Sequence, residues 1–202
     1  MEHAMSRTDN LYTIPEDLPV PGDDGACDHL AGSEWPRIAL PSTGGRLVSI
    51  RDVQADWVVV YFYPRTGLPD QDPPGGMQAW NSIPGARGCT PQACSYRDHH
   101  SEMKALRAEV FGVSTQETAY QREAAERLHL PFELLSDARL ALANALTLPT
   151  FDVAGTTLIK RLTLILRRGG RIVRCFYPVF PPDTDAERIL EYLRESARGT
   201  SD

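Results

Sequence analysis

Apolar positions fall into two kinds of run along the chain, with different periods. Residues 57–63 (WVVVYFY) are aromatic or β-branched at every position, with no polar alternation. Such a run reads as a strand buried on both faces, at the centre of a sheet that helices cover on each side. Residues 109–113 and 132–135 read as further short strands, and 157–166 and 171–176 flank Arg167-Arg168-Gly169-Gly170 as a hairpin. Residues 38–40 and 47–50 flank Thr43-Gly44-Gly45 as another. Ala93, Tyr96, His100, Met103 and Leu106 instead recur at three- and four-residue steps, which predicts a helix over about 90–108 with that face buried. Ser114 or Thr115 is expected to cap a helix running to about 128. Asp137 is expected to open a helical piece through about 146, and Asp183 to cap a last helix carrying Ile189, Leu190 and Leu193. The order β-α-β-α-β-α-β-β-α indicates a three-layer α/β domain.

Two stretches lack any period. Residues 1–35 are polar and rich in Asp, Gly and Pro, and are expected to form an irregular arm with little structure of its own. Between 64 and 87 the chain carries Pro64, Pro69, Pro73, Pro74 and Pro84 with Gly67, Gly75, Gly76 and Gly85. That composition predicts a long loop, and loops of this length inside a domain usually serve function. At 202 residues the chain is expected to fold as one domain over 1–202.

Composition narrows the classes of function. A net charge of -6 lacks the Lys/Arg surplus that phosphate recognition needs, so no nucleic-acid partner is expected. The acidic N-terminus has no apolar run and residues 57–63 are too short to cross a bilayer, so neither a secretory signal nor a membrane span is expected. A cytoplasmic location follows as the expectation. In a reducing compartment, four cysteines are catalytic or inert more often than structural staples.

The chemistry concentrates in Arg87-Gly88-Cys89-Thr90-Pro91-Gln92-Ala93-Cys94. Cys89 falls between the Gly-rich loop and the first turn of a helix, where unpaired N–H groups and the helix dipole favour an anion. Arg87 is expected to add a nearby cation, and Gly88 with its polar surroundings predicts an exposed helix start. A thiolate attacks a peroxide O–O bond to give a sulfenic acid, which a second thiol must capture before over-oxidation. Cys94 is the candidate captor. Five residues of regular helix rise roughly 7.5 Å and turn about 140°, which puts the Cα atoms about 8.6 Å apart. A disulfide tolerates about 7 Å. The bond therefore requires the first turns of the helix to unwind, with residues 95–97 as the expected hinge.

Other readings of these residues stay in view. Both thiols could be inert core residues, as most free cysteines are. A zinc site is disfavoured because C-x4-C is loose for a tetrahedral pair, and no metal or cofactor is expected. Adjacent His99 and His100 point about 100° apart on a helix, His100 reading as a core-edge residue and His99 as a solvated one. Cys175, in a strand, and Cys27, in the arm, have no partner at a telling distance and receive a structural or neutral reading.

At this point the sequence resembles the peroxiredoxin family, and within it the Q-type or bacterioferritin comigratory group. Residues 58–64 resemble the strand entering that family's active-site loop, and 88–98 its peroxidatic helix with the resolving Cys five positions on. Phe111-Gly112-Val113-Ser114-Thr115-Gln116 and Leu134-Leu135-Ser136-Asp137 match the next two strand ends. Arg161-Leu162-Thr163-Leu164-Ile165-Leu166 resembles the strand whose Arg lies beside the reactive sulfur. The resemblance implies a thioredoxin-like fold, reduction of hydrogen peroxide and organic hydroperoxides, Cys89 as peroxidatic, Cys94 as resolving and Arg161 as the group that polarises the peroxide. It also implies a thioredoxin or similar dithiol protein as reductant. An intramolecular disulfide removes the chemical need for a second subunit, so a monomer is expected, with a dimer as the alternative. Lys160 and Arg161 cannot both point inward from a strand, so one of them is expected in solvent.

Two positions depart from the family pattern. The Pro and the Thr or Ser that precede the peroxidatic Cys are replaced by Ser82 and Ala86. The matching Pro is Pro64, displaced by an insertion over 65–87, and Thr66 is the candidate for returning the missing hydroxyl. Two rival classes remain on the same fold: a disulfide oxidoreductase, against which C-x4-C counts, and a redox sensor whose oxidation alters partner binding. Multiple turnovers with peroxide separate the peroxidase from both.

Overall fold

In the computed structural model, which describes residues 9–198, the chain runs β1 (Ala39–Pro41), β2 (Leu47–Ser49), β3 (Trp57–Phe62), α1 (Gly76–Ser82), α2 (Cys89–Asp98), α3 (His100–Ala105), β4 (Ala108–Ser114), α4 (Thr118–Arg127), β5 (Glu133–Ser136), α5 (Ala141–Ala145), β6 (Thr150–Val153), β7 (Thr156–Ile159), β8 (Leu162–Arg167), β9 (Ile172–Phe176) and α6 (Asp185–Arg198). The central sheet has the order β5-β4-β3-β8-β9. β3 is parallel to β4 and antiparallel to β8, which places the all-apolar run in the middle of a mixed sheet. Every residue of β3 is buried, as its pattern predicts.

The two faces of β3 feed two separate cores, because successive side chains on a strand point to opposite faces. Val58, Val60 and Phe62 pack with Leu164, Leu166, α5 and the arm residues Leu30 and Trp35. Trp57, Val59 and Tyr61 pack with α2, α3 and the apolar stripe of α6 formed by Ile189, Leu190 and Leu193. β1 and β2 form the expected hairpin.

Several sequence expectations change in detail. The helix expected over 90–108 is two helices, broken at His99, whose φ of -98° and ψ of 4° leave the helical region. The strand expected over 157–166 is likewise two, β7 and β8, with Lys160 and Arg161 at the break. β7 pairs instead with β6 in a small hairpin, which Asp152 and the Ala154-Gly155 turn disguised in the sequence. Neither Ser114 nor Thr115 caps α4, which starts after Glu117 without a side-chain cap. The Ser114 hydroxyl takes hydrogen bonds from Gln116 and Gln121, and the Thr115 hydroxyl donates to the Thr157 carbonyl. Asp137 does cap: its carboxylate accepts the amides of Leu142 and Ala143 at 3.0 and 2.8 Å. Asp183 lies in a 3-10 turn, Pro182–Thr184, and α6 starts after it.

The arm is irregular, as expected, but not loosely attached. Ile172 exchanges backbone hydrogen bonds with Gly32 and Ser33, and Trp35 donates to Gly170, so the arm runs along β9 and adds Leu30 and Trp35 to the core. The loop over 65–87 is likewise not structureless: it contains α1, whose Trp80 packs with Ala86, Val153 and Leu158.

Gly112 of β4 marks the tightest packing against β3. A Cβ there would stand 2.6 Å from Tyr61 and from Leu134 Cδ2. Overpacking of this kind costs about 1–3 kcal/mol, so Gly112→Ala is expected to lower the urea midpoint by a corresponding amount without changing the slope of the transition.

Candidate active site

Cys89 is the first residue of α2, and Gly88 turns the chain into it with a φ of 99°. Only glycine suits that conformation without strain, and a Cβ there would lie 2.4 Å from Pro182 Cγ. The close approach of Pro182 fixes the start of α2 against the segment that leads into α6. The expected exposed helix start is corrected here: Cys89 is only 4% exposed. Leu11 from the arm and Trp80 from α1, neither of which local sequence could place, wall the chamber beside it. The space there for a water centre is about 20 Å³, room for about one water molecule.

Arg161 reaches this chamber from the break between β7 and β8. Its Nη2 lies 3.2 Å from Cys89 Sγ and also donates to the carbonyls of Gly85 and Arg87 at 3.2 and 3.1 Å. Its Nη1 donates to Gln92 Oε1. The guanidinium is 3% exposed and held on both forks, so its charge is fixed where the sulfur needs it. Lys160 points the other way and is half-buried, paired with Asp24 at 3.0 Å; the two residues lie between β7 and β8 rather than on one strand. Arg87 does not supply a second cation to the sulfur. Its side chain pairs with Asp9 and donates to the Asn10 carbonyl at 3.0 Å, so the arm takes its charge.

Behind Arg161 lies a network that sequence reasoning missed. Gln92 Nε2, Tyr96 OH and Thr163 Oγ1 all donate to Asp185 Oδ2 at 2.8 Å. Asp185 is fully buried, and burial raises its pKa against the opposing pull of those three donors and of Arg161. Its other oxygen has no partner and is where a proton would sit. Gln92 was visible only as one turn past Cys89, and Asp185 only as one of several acidic residues near a helix start.

Cys94 is half-buried on the same unbroken helix, and burial raises its pKa while Arg97 opposes. Residues 95–97, the expected hinge, lie within α2, and the actual break is at His99. His99 is half-buried rather than solvated, with Nδ1 on the Ser95 carbonyl at 2.9 Å. His100 sits at the core edge against Phe132. The Thr66 hydroxyl donates to Gln116 Oε1 at 3.0 Å, and its neighbours Arg65 and Gly67, rather than Thr66, line the chamber beside Cys89. Cys27 and Cys175, read as unrelated, are neighbours. Among the described residues no cluster of His, Cys, Asp or Glu is suited to a metal, and no helix is long and apolar enough to cross a membrane.

A family model described as Redoxin matches residues 30–192. The chain is 29% identical over 191 residues to the chloroplastic peroxiredoxin Q of Gentiana triflora, covering 92% of this chain and 79% of that one. It is 32% identical over 163 residues to the chloroplastic peroxiredoxin Q of Sedum lineare, covering 81% and 77%. The crystal structure of the peroxidoxin BcpB from Mycobacterium tuberculosis superposes with a TM-score of 0.67 at 25% identity, over 82% of this chain and 96% of that one. A structure of Xanthomonas campestris peroxiredoxin Q gives 0.62 at 23% identity, over 90% and 99%, a likeness of fold.

The buried Asp185 sets a pH test. Its raised pKa means that the folded state binds the proton more tightly than the unfolded state does. Its contribution to stability is therefore fully present below the ordinary carboxylate value of 3.8 and is lost as pH rises through the raised one. Asp185→Asn removes this titration. Its stability relative to wild type is expected to improve between about pH 4 and pH 7, read as the difference in thermal midpoints across that range.

Proposed function

The chain belongs to the Redoxin family and is a Q-type peroxiredoxin, a thiol-dependent peroxidase on a thioredoxin-like fold, and we propose that Cys89 carries its chemistry with Cys94 and Arg161. The observation that carries this assignment is the Arg161 guanidinium, 3.2 Å from a buried sulfur at the first turn of a helix. A donor fixed at that point faces the negative charge that develops as the O–O bond breaks, and pre-oriented charge costs no reorganisation in the transition state.

In the first step the Cys89 sulfur attacks one peroxide oxygen. The O–O bond breaks, the other oxygen departs with its substituent, and a proton makes it water or an alcohol. Cys89 is left as a sulfenic acid. In the second step the Cys94 sulfur attacks that sulfenic sulfur, the hydroxyl leaves as water, and the disulfide forms. Helical spacing keeps the two residues about 8.6 Å apart at Cα, so α2 must unwind toward its break at His99 first. Burial keeps the Cys94 thiol protonated in the folded helix. Unwinding carries it into water, where it ionises more readily. A dithiol protein of the thioredoxin class then reduces the bond by exchange. Four free thiols in the described chain suit a reducing compartment such as the cytoplasm.

An apolar groove of about 280 Å³ on the other side of Arg161, between Pro21, Ile83, Phe151 and Val179, can seat the organic part of a larger hydroperoxide.

One equivalent of hydrogen peroxide is expected to give a rapid Cys89–Cys94 disulfide, and in Cys94→Ser a sulfenic or sulfinic Cys89, both read by mass spectrometry. Slow oxidation spread over all four cysteines would overturn the assignment. Arg161→Met is expected to slow the second-order reaction with peroxide by about 10²–10³-fold, measured by stopped-flow under single-turnover conditions.

A further inference from the structure

The mechanism leaves two thiols unused, and the fold brings them together from opposite ends of the chain. Cys27 lies in the arm and is 4% exposed. Cys175 lies on β9, directly across from Leu164 of β8, and therefore faces the same core as Leu164. Cys27 belongs to that core and Cys175 packs against it half-exposed. The Gly32 amide donates to the Ile172 carbonyl and the Ile172 amide to the Ser33 carbonyl, which holds this part of the arm along the same strand. The Cys175 side chain interacts with the Cys27 thiol, and this interaction, with burial and the nearby Asp24 and Asp23, holds Cys27 well above the usual thiol range.

We propose that Cys27 and Cys175 are a second redox couple, forming a reversible disulfide that pins the arm to the sheet edge. This couple is independent of the Cys89 chemistry. The half-exposed Cys175 sulfur attacks a peroxide oxygen, the O–O bond breaks, and the other half leaves as water or alcohol. Cys175 becomes a sulfenic acid. The Cys27 thiol attacks that sulfur, and its proton leaves with the hydroxyl as water. Peroxide is the two-electron oxidant, and a small dithiol reverses the step. Cys175 is the more accessible of the two sulfurs and serves as the entry point; Cys27, buried beside it, is the captor once its proton is given up.

The consequence lies upstream of Cys27. Leu11 walls the Cys89 chamber, Asp9 pairs with Arg87, and Pro21 packs beside Gly85. All three belong to the segment whose root the disulfide would fix. The bond also closes a loop that contains most of the chain, which restricts the unfolded state strongly.

The test uses the full chain as Cys89→Ser/Cys94→Ser, so that failure here is separate from failure of the peroxidase assignment. The protein is treated with hydrogen peroxide, alkylated in denaturant and mapped by mass spectrometry. The expected result is a Cys27–Cys175 disulfide that dithiothreitol reverses, with a thermal midpoint higher by roughly 5–10 °C in the oxidised form. That rise should vanish when Cys175→Ser is added. Bond mapping needs neither Cys27 nor Cys175 altered, so it stands even if the added variant fails to fold. Cys27 and Cys175 both still alkylated after treatment, a Cys175 that stops at the sulfenic or sulfinic stage, or a bond between two chains would each overturn the proposal.

Discussion

The site depends on one buried carboxylate. Asp185 opens α6, yet its side chain turns inward to accept hydrogen bonds from Gln92 and Tyr96 of α2 and from Thr163 of β8. Three elements distant in sequence are thereby tied at one oxygen. Losing a partner from such a network costs more than a surface hydrogen bond, because the remaining buried groups cannot turn to water. Gln92 passes the constraint on: one end of its amide holds Asp185 and the other holds Arg161. The direction of the guanidinium at Cys89 is therefore set by the Gly85 and Arg87 carbonyls on one fork and, through Gln92, by an acid at the start of the last helix on the other.

The same arrangement sets the terms of turnover. Gln92 and Tyr96 sit on the helix that must unwind for Cys94 to reach Cys89, and Tyr96 also stacks on Tyr61 at 4.4 Å. Unwinding α2 for the proposed disulfide would take Gln92 from Arg161 and two donors from Asp185 in one event, leaving Arg161 on the Gly85 and Arg87 carbonyls. A ten-residue helix has little stability of its own, so these tertiary contacts decide how readily it opens. Stronger anchoring would sharpen the geometry for peroxide but slow resolution, leaving the sulfenic acid exposed to further oxidation for longer.

Much of this was legible in the residues. The unbroken run at 57–63 located the central strand, and the short strands around it set the layer order, because burial on both faces leaves no polar alternation to misread. Cys89 and Cys94 stood out through type and spacing, and Arg161 through the resemblance of its strand to the peroxiredoxin pattern. What stayed hidden was whatever depends on contacts between distant segments. The burial of Cys89 comes from the core around Tyr61, Tyr63 and Tyr96, the walling of its chamber from Leu11 and Trp80, the diversion of Arg87 from Asp9, and the closeness of Cys27 to Cys175 from the arm lying along β9. Local pattern carries none of these. The split of the expected helix at His99 and the start of α4 after Glu117 are boundary effects, where side chains that would cap are engaged elsewhere.

The arm itself divides into two parts with different grips. From Cys27 to Trp35 it shares the main core and exchanges backbone hydrogen bonds with β9, so displacing it would open that core. Upstream it holds the site through separate contacts: Leu11 against the chamber, Asp9 and Asn10 on Arg87, Pro21 beside Gly85 and Asp24 on Lys160. Burying one leucine is worth about 1.5–3 kcal/mol, which is the range of local openings that a folded protein samples on its own. A shift of the outer arm would widen the approach to Cys89, which Leu11 lines. The proposed covalent bond at its root would leave that outer half free to shift while keeping it tethered beside the sulfur.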